Sequence, residues 1–436
     1  MSANPDSVVV LPGRDVRGLA RVLQLAPRPN KLIGGSLVML AGSMMVSVLN
    51  FGYNIVVARM LGKELFAQAA AFVTLQLIVS AATLSVQMVC AKFVARNATD
   101  EHKTFAYKSL MRRSWFIGIS VGLVMALISR PSSTWLNISS ALPMVLLSIG
   151  MAFYIPLGVK RGGLQGTCRF RQLAINYVLE TVVKMVAAIV LLATGFGLEG
   201  AVLAITLSVV AAYFYPLVPQ QLRKQPERGI PASFGEGVQA IIFFVGQVII
   251  NNVDILMVNH FFKADVAGLY AAFALIGRVL YIASWQVVSA MFPIAAAANP
   301  DEKESWTVLA VPLAMVTGIS LCFIALVGFF PDSVLHVLFG AKFQIAGASN
   351  LLLLRTLATA GYALSVVLIT YEMSRRIANI GWFQLFIAGL VVAGIAVFHN
   401  TLLQVIVLQQ VLMAVLFLVV TVPFIRARFL SRRTAA

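Results

Sequence analysis

Three basic residues stand inside long apolar runs of this 436-residue chain: Lys184, Arg278 and Arg355. An ionised side chain near the centre of a bilayer costs at least about 2.5–3.5 kcal/mol on insertion scales, so such a group normally faces water, a ligand or a partner. Arg278 sits about midway along its run and Arg355 follows Leu351–Leu354, neither with an acid within a helical turn. Lys184 lies four residues after Glu180, a spacing that puts both on one helical face and allows a self-neutralising pair. Asp254 is the matching acid in another run: it either neutralises one of the arginines or takes part in coupling to a cation. Asn50, Asn54, Asn251 and Asn252 supply polar lining or, in their more ordinary use, hydrogen bonds between helices. If the three cations face one chamber, its natural ligand carries concentrated negative charge. Lysine and arginine suit phosphate or pyrophosphate oxygens, arginine through paired hydrogen bonds. The charges thus point to an anionic, amphiphilic cargo, although a fully hydrophilic anion satisfies them equally. The structural alternative is arginine bound to carbonyls or capping a kink.

The elements that must position these groups are membrane spans. Sixty per cent of the residues are hydrophobic and 11% charged, with a mean hydropathy of +0.91, which excludes an ordinary soluble globular domain. A crossing needs roughly 20 mainly apolar residues. Twelve such runs predict spans at 33–58, 66–90, 114–131, 139–159, 174–195, 198–218, 238–262, 266–293, 306–330, 345–370, 378–397 and 402–425. The third is short and flanked by Arg112 and Arg113, which could snorkel to the interface. Small residues such as Gly35, Gly42, Ala69 and Ala71 serve helix packing.

Basic residues alternate from gap to gap. Arg14, Arg17, Arg21, Arg28 and Lys31 precede the first run; Lys92, Arg96, Lys103, Lys108, Arg112 and Arg113 fill the second gap; Lys160, Arg161, Arg169 and Arg171 fill the fourth. Arg223, Lys224 and Arg228, then Lys303, then Arg375 and Arg376, then Arg426, Arg428, Arg432 and Arg433 continue the series. The intervening gaps hold only Arg59, Lys63, Arg130, Lys263 and Lys342. Because cytoplasmic loops retain Lys and Arg, both termini are expected inside. The net charge of +17 is thereby a matter of topology and anionic lipid headgroups, not of nucleic acid. No short apolar core precedes a small-residue cleavage site in residues 1–32, so a cleaved leader is not expected there; residues around Val16–Leu23 form either an interfacial amphipathic helix or a plain tail. Cys90, Cys168 and Cys322, and His102, His260, His336 and His399, are too scattered to suggest a disulfide framework or a metal site.

An offset of 201 residues aligns Asn50–Phe72 with Asn251–Phe273 without a gap, and makes Asn50/Asn251, Val57/Val258, Ala70/Ala271, Ala71/Ala272 and Phe72/Phe273 identical. The offset is near half the apolar length and sets the first run on the seventh. Six plus six spans in parallel repeats is an established transporter plan. The expected organisation is an all-α polytopic membrane protein: an N-terminal cytoplasmic segment (1–32), an N-lobe of six spans (33–218), a cytoplasmic linker (219–237), a C-lobe of six spans (238–425) and a cytoplasmic tail (426–436), with a central cavity between the lobes.

Four stretches carry a resemblance to a known superfamily: Val56–Gln68 (VVARMLGKELFAQ), the Gly162–Ala204 region, Asn251–Leu280 and Val337–Leu354. Together they resemble the MOP superfamily, which joins MATE multidrug transporters with bacterial polysaccharide-precursor flippases; Ala67 stands where a Gly is usual. The second stretch is more similar to Wzx-type oligosaccharide flippases than to drug exporters. The resemblance implies two six-helix bundles opening alternately to the two faces of a bacterial cytoplasmic (inner) membrane. It implies as cargo an undecaprenyl-pyrophosphate-linked oligosaccharide, moved towards the periplasmic leaflet for surface polysaccharide synthesis. Lys184, Arg278 and Arg355 would then attract pyrophosphate and sugar, with Asn54 and Asn251 as further lining and Glu180 and Asp254 as coupling or charge-balancing groups. No cofactor is implied. The drive is open among protons, sodium ions and membrane potential. Membrane lipids, a glycan polymerase and glycosyltransferases are the implied partners.

Other readings compete. A multidrug exporter of the same fold should have an acid-rich cavity for cationic cargo. A lipid II flippase needs a cationic cavity too. A membrane polymerase or ligase tends to have a long outer loop with functional Arg or His, whereas the outer gaps here are short. A transporter, not an enzyme, is the reading the residues favour.

Overall fold

The computed structural model describes residues 29–216, 218–227, 238–297, 302–343, 347–375 and 381–434. Long apolar sequences satisfy their backbone polar groups internally by forming helices, as hydrocarbon surroundings require. The first is α1 (Pro29–Arg96), a long helix broken at Gly62, whose φ of 76° and ψ of −179° only glycine adopts easily. Its two limbs occupy the first two expected spans. The equivalent break in the repeat, 201 residues on, falls between α7 (Val238–Phe261) and α8 (Ala264–Ala297). The rest of the first half is α2 (Asp100–Leu127), α3 (Ser129–Trp135), α4 (Leu142–Gly166), α5 (Phe170–Ala193) and α6 (Gly197–Phe214). After α8 come α9 (Glu302–Phe329), α10 (Pro331–Phe339), α11 (Ala348–Arg375), α12 (Gly381–Val397) and α13 (Leu402–Thr434).

In their described residues the expected apolar runs lie largely on helices, but the third (114–131) passes from α2 into α3 at Ile128, the sixth (198–218) outlasts α6, and several helices overrun their runs. Helix α2 starts at Asp100 rather than 114, because Thr99 caps it and Asp100 and Glu101 sit in the first turn. The polar overhang is tied to the chain after α6: Thr104 Oγ1 donates to the Gln221 carbonyl at 3.2 Å, and Lys224 Nζ lies 3.6 Å from Glu101. Helix α4 runs seven residues past the expected end at 159, to Gly166, with consequences for Arg161. Helix α13 continues to Thr434, through most of the segment expected as a tail. The amphipathic stretch around 16–23 and linker residues 228–237 lie outside the described residues.

Helices α1, α2, α4, α5 and α6 pack on one another, and α7, α8, α9, α11, α12 and α13 form a second group, with α1 touching α7 and α8 across the divide. Gly158, Gly162 and Gly166 of α4 lie against the second limb of α1: a Cβ at each would sit 2.6, 2.5 and 2.7 Å from the carbonyls of Thr83, Gln87 and Ala91. Such close backbone approach through small residues is how membrane helices gain dispersion contacts without a hydrophobic drive. Of the small residues expected to pack, Gly42 faces Ala174, Ala69 and Ala71 are buried, and the surroundings of Gly35 are outside the description.

At the basic-poor face the halves are joined directly. Asn137 Nδ2 donates to the carbonyls of Asn259 (2.9 Å) and His260 (2.8 Å), and Asn259 Nδ2 donates to Leu136 O at 2.6 Å. The His260 ring stacks on Trp135 at 4.3 Å, and Arg59 Nε donates to Leu338 O at 2.9 Å. Among the described residues, nine helices are long and apolar enough to cross a membrane. Large apolar side chains such as Phe116 and Phe329, 75% and 80% exposed, cover their outer surfaces. In water that much apolar surface would drive association; in a bilayer it faces its own kind. The chain is a multi-pass membrane protein.

Candidate binding cavity

Between the two helix groups lies a cavity of about 340 Å³, lined from the first group by α1, α4 and α5 and from the second by α7 and α8. Lys184 of α5 and Arg278 of α8 both line it, one from each half. Among the described residues neither has a carboxylate oxygen within 4.0 Å. Lys184 Nζ donates to Asn50 Oδ1 and sits 5.1 Å from the centre of the Tyr53 ring. Arg278 Nη2 donates to Asn252 Oδ1 at 2.5 Å. Asn252 is suited to this because its amide Nδ2 is tied to the Val248 carbonyl one turn back, at 2.7 Å, leaving the oxygen to face the guanidinium. Asn54 and Asn251 also line the cavity and make similar bonds to Asn50 O and Gln247 O, both at 2.8 Å.

The acids are engaged elsewhere. Glu180 lines the cavity, yet its Oε2 accepts from Arg161 Nη2 at 2.5 Å, and no ion pair joins it to Lys184 within 4.0 Å. The intrahelical Glu180–Lys184 pair allowed by the spacing is therefore replaced by an inter-helical one. Arg161, 2% exposed, also donates from Nε to Asn176 Oδ1 (2.7 Å) and lies 3.9 Å over the Tyr177 ring, and Asn176 is anchored in turn on Ala212 O.

Arg355 does not line the cavity. It is buried in the second helix group, donating from Nη2 to Asp254 Oδ2 at 2.8 Å and from Nη1 to Thr359 Oγ1 at 3.4 Å. Asp254, fully buried, accepts as well from the Tyr270 hydroxyl (2.6 Å) and the Ile255 amide (3.0 Å), and Gln409 Nε2 donates to that hydroxyl at 3.0 Å. Asp254 is thus placed to neutralise an arginine, and Arg355 cannot touch a ligand in the cavity as arranged here. The physical reason is that a buried carboxylate captures the nearest cation, since leaving either charge alone out of water costs several kcal/mol.

Sequence reasoning missed two features. By hydropathy Arg161 lies in a basic gap, because the apolar run ends near 159, but α4 continues through Gly162 and Gly163 to Gly166, and Gly162 and Gly166 pack on α1. Gln247 and Tyr281, which bond to each other on the cavity wall, are ordinary polar and aromatic residues in apolar runs and gave no signal. What the assembled cavity offers is two desolvated cations held only by neutral amides. Both have hydrogen-bonding capacity left, and an anion is the natural ligand of such a pair.

Solved structures share this fold. An inward-facing multidrug-resistance MATE transporter of the MOP superfamily superposes with a TM-score of 0.69 at 15% identity, over 91% of this chain and 99% of its own. The MATE transporter VcmN of Vibrio cholerae gives 0.63 at 11% identity, over 91% and 96%. A MOP superfamily transporter of Pyrococcus furiosus gives 0.52 at 14% identity, over 91% and 95%. The fold is that of MATE transporters of the MOP superfamily. No curated protein matches by sequence. The family profile described as "Polysaccharide biosynthesis protein" matches residues 56–347, well over half of the chain, and the protein belongs to that family.

Proposed function

We propose that this protein is a flippase for an anionic lipid-linked saccharide, in chemical terms a polyprenyl-pyrophosphate-linked oligosaccharide. It acts in the bacterial inner membrane by alternating access, with both termini cytoplasmic and lobes spanning 33–218 and 238–425. One observation carries the reading: Lys184 and Arg278, contributed by opposite halves, face one cavity without an acid partner. Cationic cargo would be repelled by such a site, which sets it apart from the demand of a multidrug exporter. The Pyrococcus furiosus structure is titled for a "reverse polarity of binding pocket" that "suggests different function", so departure from drug export has a precedent in this fold. Membership of a polysaccharide biosynthesis family supplies the saccharide part of the cargo.

In this scheme the pyrophosphate displaces the amide oxygens of Asn50 and Asn252 from the two cations. The sugars meet the amides and hydroxyls of Asn54, Asn251, Gln247 and Tyr281, while the polyprenyl tail stays in lipid between the lobes. The bonds of Asn137, Asn259 and Arg59 across the basic-poor face form the closed outer gate of an inward-open state. A conformational change that breaks them and closes the opposite end would release the cargo outward. Partners are the glycosyltransferases that build the cargo and the polymerase that receives it, and the drive is a proton or sodium gradient. The test is glycan display in cells carrying Lys184→Ala or Arg278→Ala, with protein levels in the membrane measured in parallel. Loss of display at normal protein levels is the expected result; normal display in both variants would refute the cavity assignment.

A further inference from the structure

The cavity is positive because two arginines behind it engage the nearby acids, Glu180 on its wall and Asp254 behind it. We propose that Arg161 and Arg355 are positioning residues that sort charge, Arg161 binding Glu180 and Arg355 binding Asp254 so that Lys184 and Arg278 remain available for an anion. This rests on the anionic-cargo reading above and names what sets its specificity.

The two halves repeat the same arrangement with different residues. In the first, Arg161 of α4 takes Glu180 of α5 at 2.5 Å, and Lys184, one turn further along the same helix, is left with the amide of Asn50. In the second, Arg355 of α11 takes Asp254 of α7 at 2.8 Å, and Arg278 of α8 is left with the amide of Asn252. Asn50 and Asn251 are equivalent in the internal repeat, so the free cation is met by an amide at or next to the same repeat position. In both halves the acid nearest the cavity, Glu180 or Asp254, goes to the cation farther from it; the second half also buries Glu372, near the end of α11. Geometry enforces that choice in the first half: the Arg161 guanidinium is locked by Asn176 and sandwiched against Tyr177, so Glu180 meets a preformed fork. In the second, Tyr270 adds a hydroxyl donor to the carboxylate oxygen that Arg355 already binds.

Without Arg161, Glu180 would be a buried carboxylate one turn from Lys184, a spacing at which helical ion pairs form. The pair would then close on itself and the cavity would lose one of its two cations. Full-length protein in nanodiscs, with farnesyl pyrophosphate as the probe and farnesol as the uncharged control, tests this. Arg161→Gln should weaken binding by about tenfold or more, as loss of a close charge contact does in other interfaces. Two variants that leave the charges matched, Arg161→Lys and the double change Arg161→Gln with Glu180→Gln, should bind within about threefold of the parent. A purely structural role predicts the opposite, with the double change at least as damaging as the single one. The proposal is overturned if Arg161→Gln binds like the parent, or if both matched variants are as weak as it. Should Arg161→Gln not fold, the matched variants decide alone, a tenfold change in either direction counting against the idea. Failure of the underlying reading looks different: the parent protein itself would not prefer farnesyl pyrophosphate over farnesol.

Discussion

Arg278 and Arg355 are both intramembrane arginines, yet the structure gives them opposite consequences for stability. Arg278 makes one hydrogen bond, to Asn252 Oδ1 at 2.5 Å. A hydrogen bond to a charged group contributes about 1.5–3 kcal/mol, while placing the guanidinium in the membrane interior costs about 2.5–3.5 kcal/mol. The two oppose each other, so Arg278→Gln should change stability by no more than about 2 kcal/mol, the largest difference those ranges allow. Arg355 is different, because its removal leaves Asp254 fully buried with a negative charge and, among the described residues, only the hydrogen bonds of Tyr270 and the Ile255 amide. Breaking a buried pair in this way costs about 3–5 kcal/mol. Thermal unfolding of the purified proteins, followed by intrinsic fluorescence in one detergent, should therefore rank Arg278→Gln with the parent and Arg355→Gln well below it. Ligand affinity should rank the other way for Arg278→Gln, with a loss of at least about tenfold for farnesyl pyrophosphate, since one charge-assisted contact of about 1.5–3 kcal/mol disappears. An Arg278→Gln protein that melts as early as Arg355→Gln would refute the reasoning, for it would mean that Arg278 is a structural cation and not a free one.

Other consequences are as direct. Combining Arg355→Gln with Asp254→Asn should recover most of the stability lost in the single change, because a neutral amide no longer needs a counter-charge; the same melting experiment checks it. Gly162→Val should prevent stable packing of α4 on α1, since even a Cβ would lie 2.5 Å from Gln87 O, and loss of the protein from the membrane fraction is the readout. Cysteines at Asn137 and His260, in a background without the native cysteines, should be joined by a short bismaleimide, and the joined protein should stop displaying glycan while the unlinked protein continues. Continued display by the fully joined protein would show that these contacts do not open during transport.

Much of this protein could be read from local composition. Hydropathy along the chain marks where helices must run, because a backbone in hydrocarbon has to satisfy its own hydrogen bonds. The ungapped offset of 201 residues set the first apolar run on the seventh, and the rarity of charge in apolar runs singled out Lys184, Arg278, Glu180, Asp254 and Arg355. Helix ends were less legible: α2 and α4 run on through polar residues because a cap in one, and close glycine packing on α1 in the other, governs them and hydropathy does not. Which cation meets which acid was not legible at all. Glu180 is four residues from Lys184 but binds Arg161, nineteen residues away, and Asp254 binds Arg355 across 101 residues of chain. Sequence marks the charges that stand inside apolar runs, since that depends on each residue's own neighbours along the helix, but it did not mark Arg161, just past the end of one. Only the packing of one helix against another decides how those charges pair, because Coulomb attraction and desolvation follow distance through space, and it is the pairing that leaves this cavity positive.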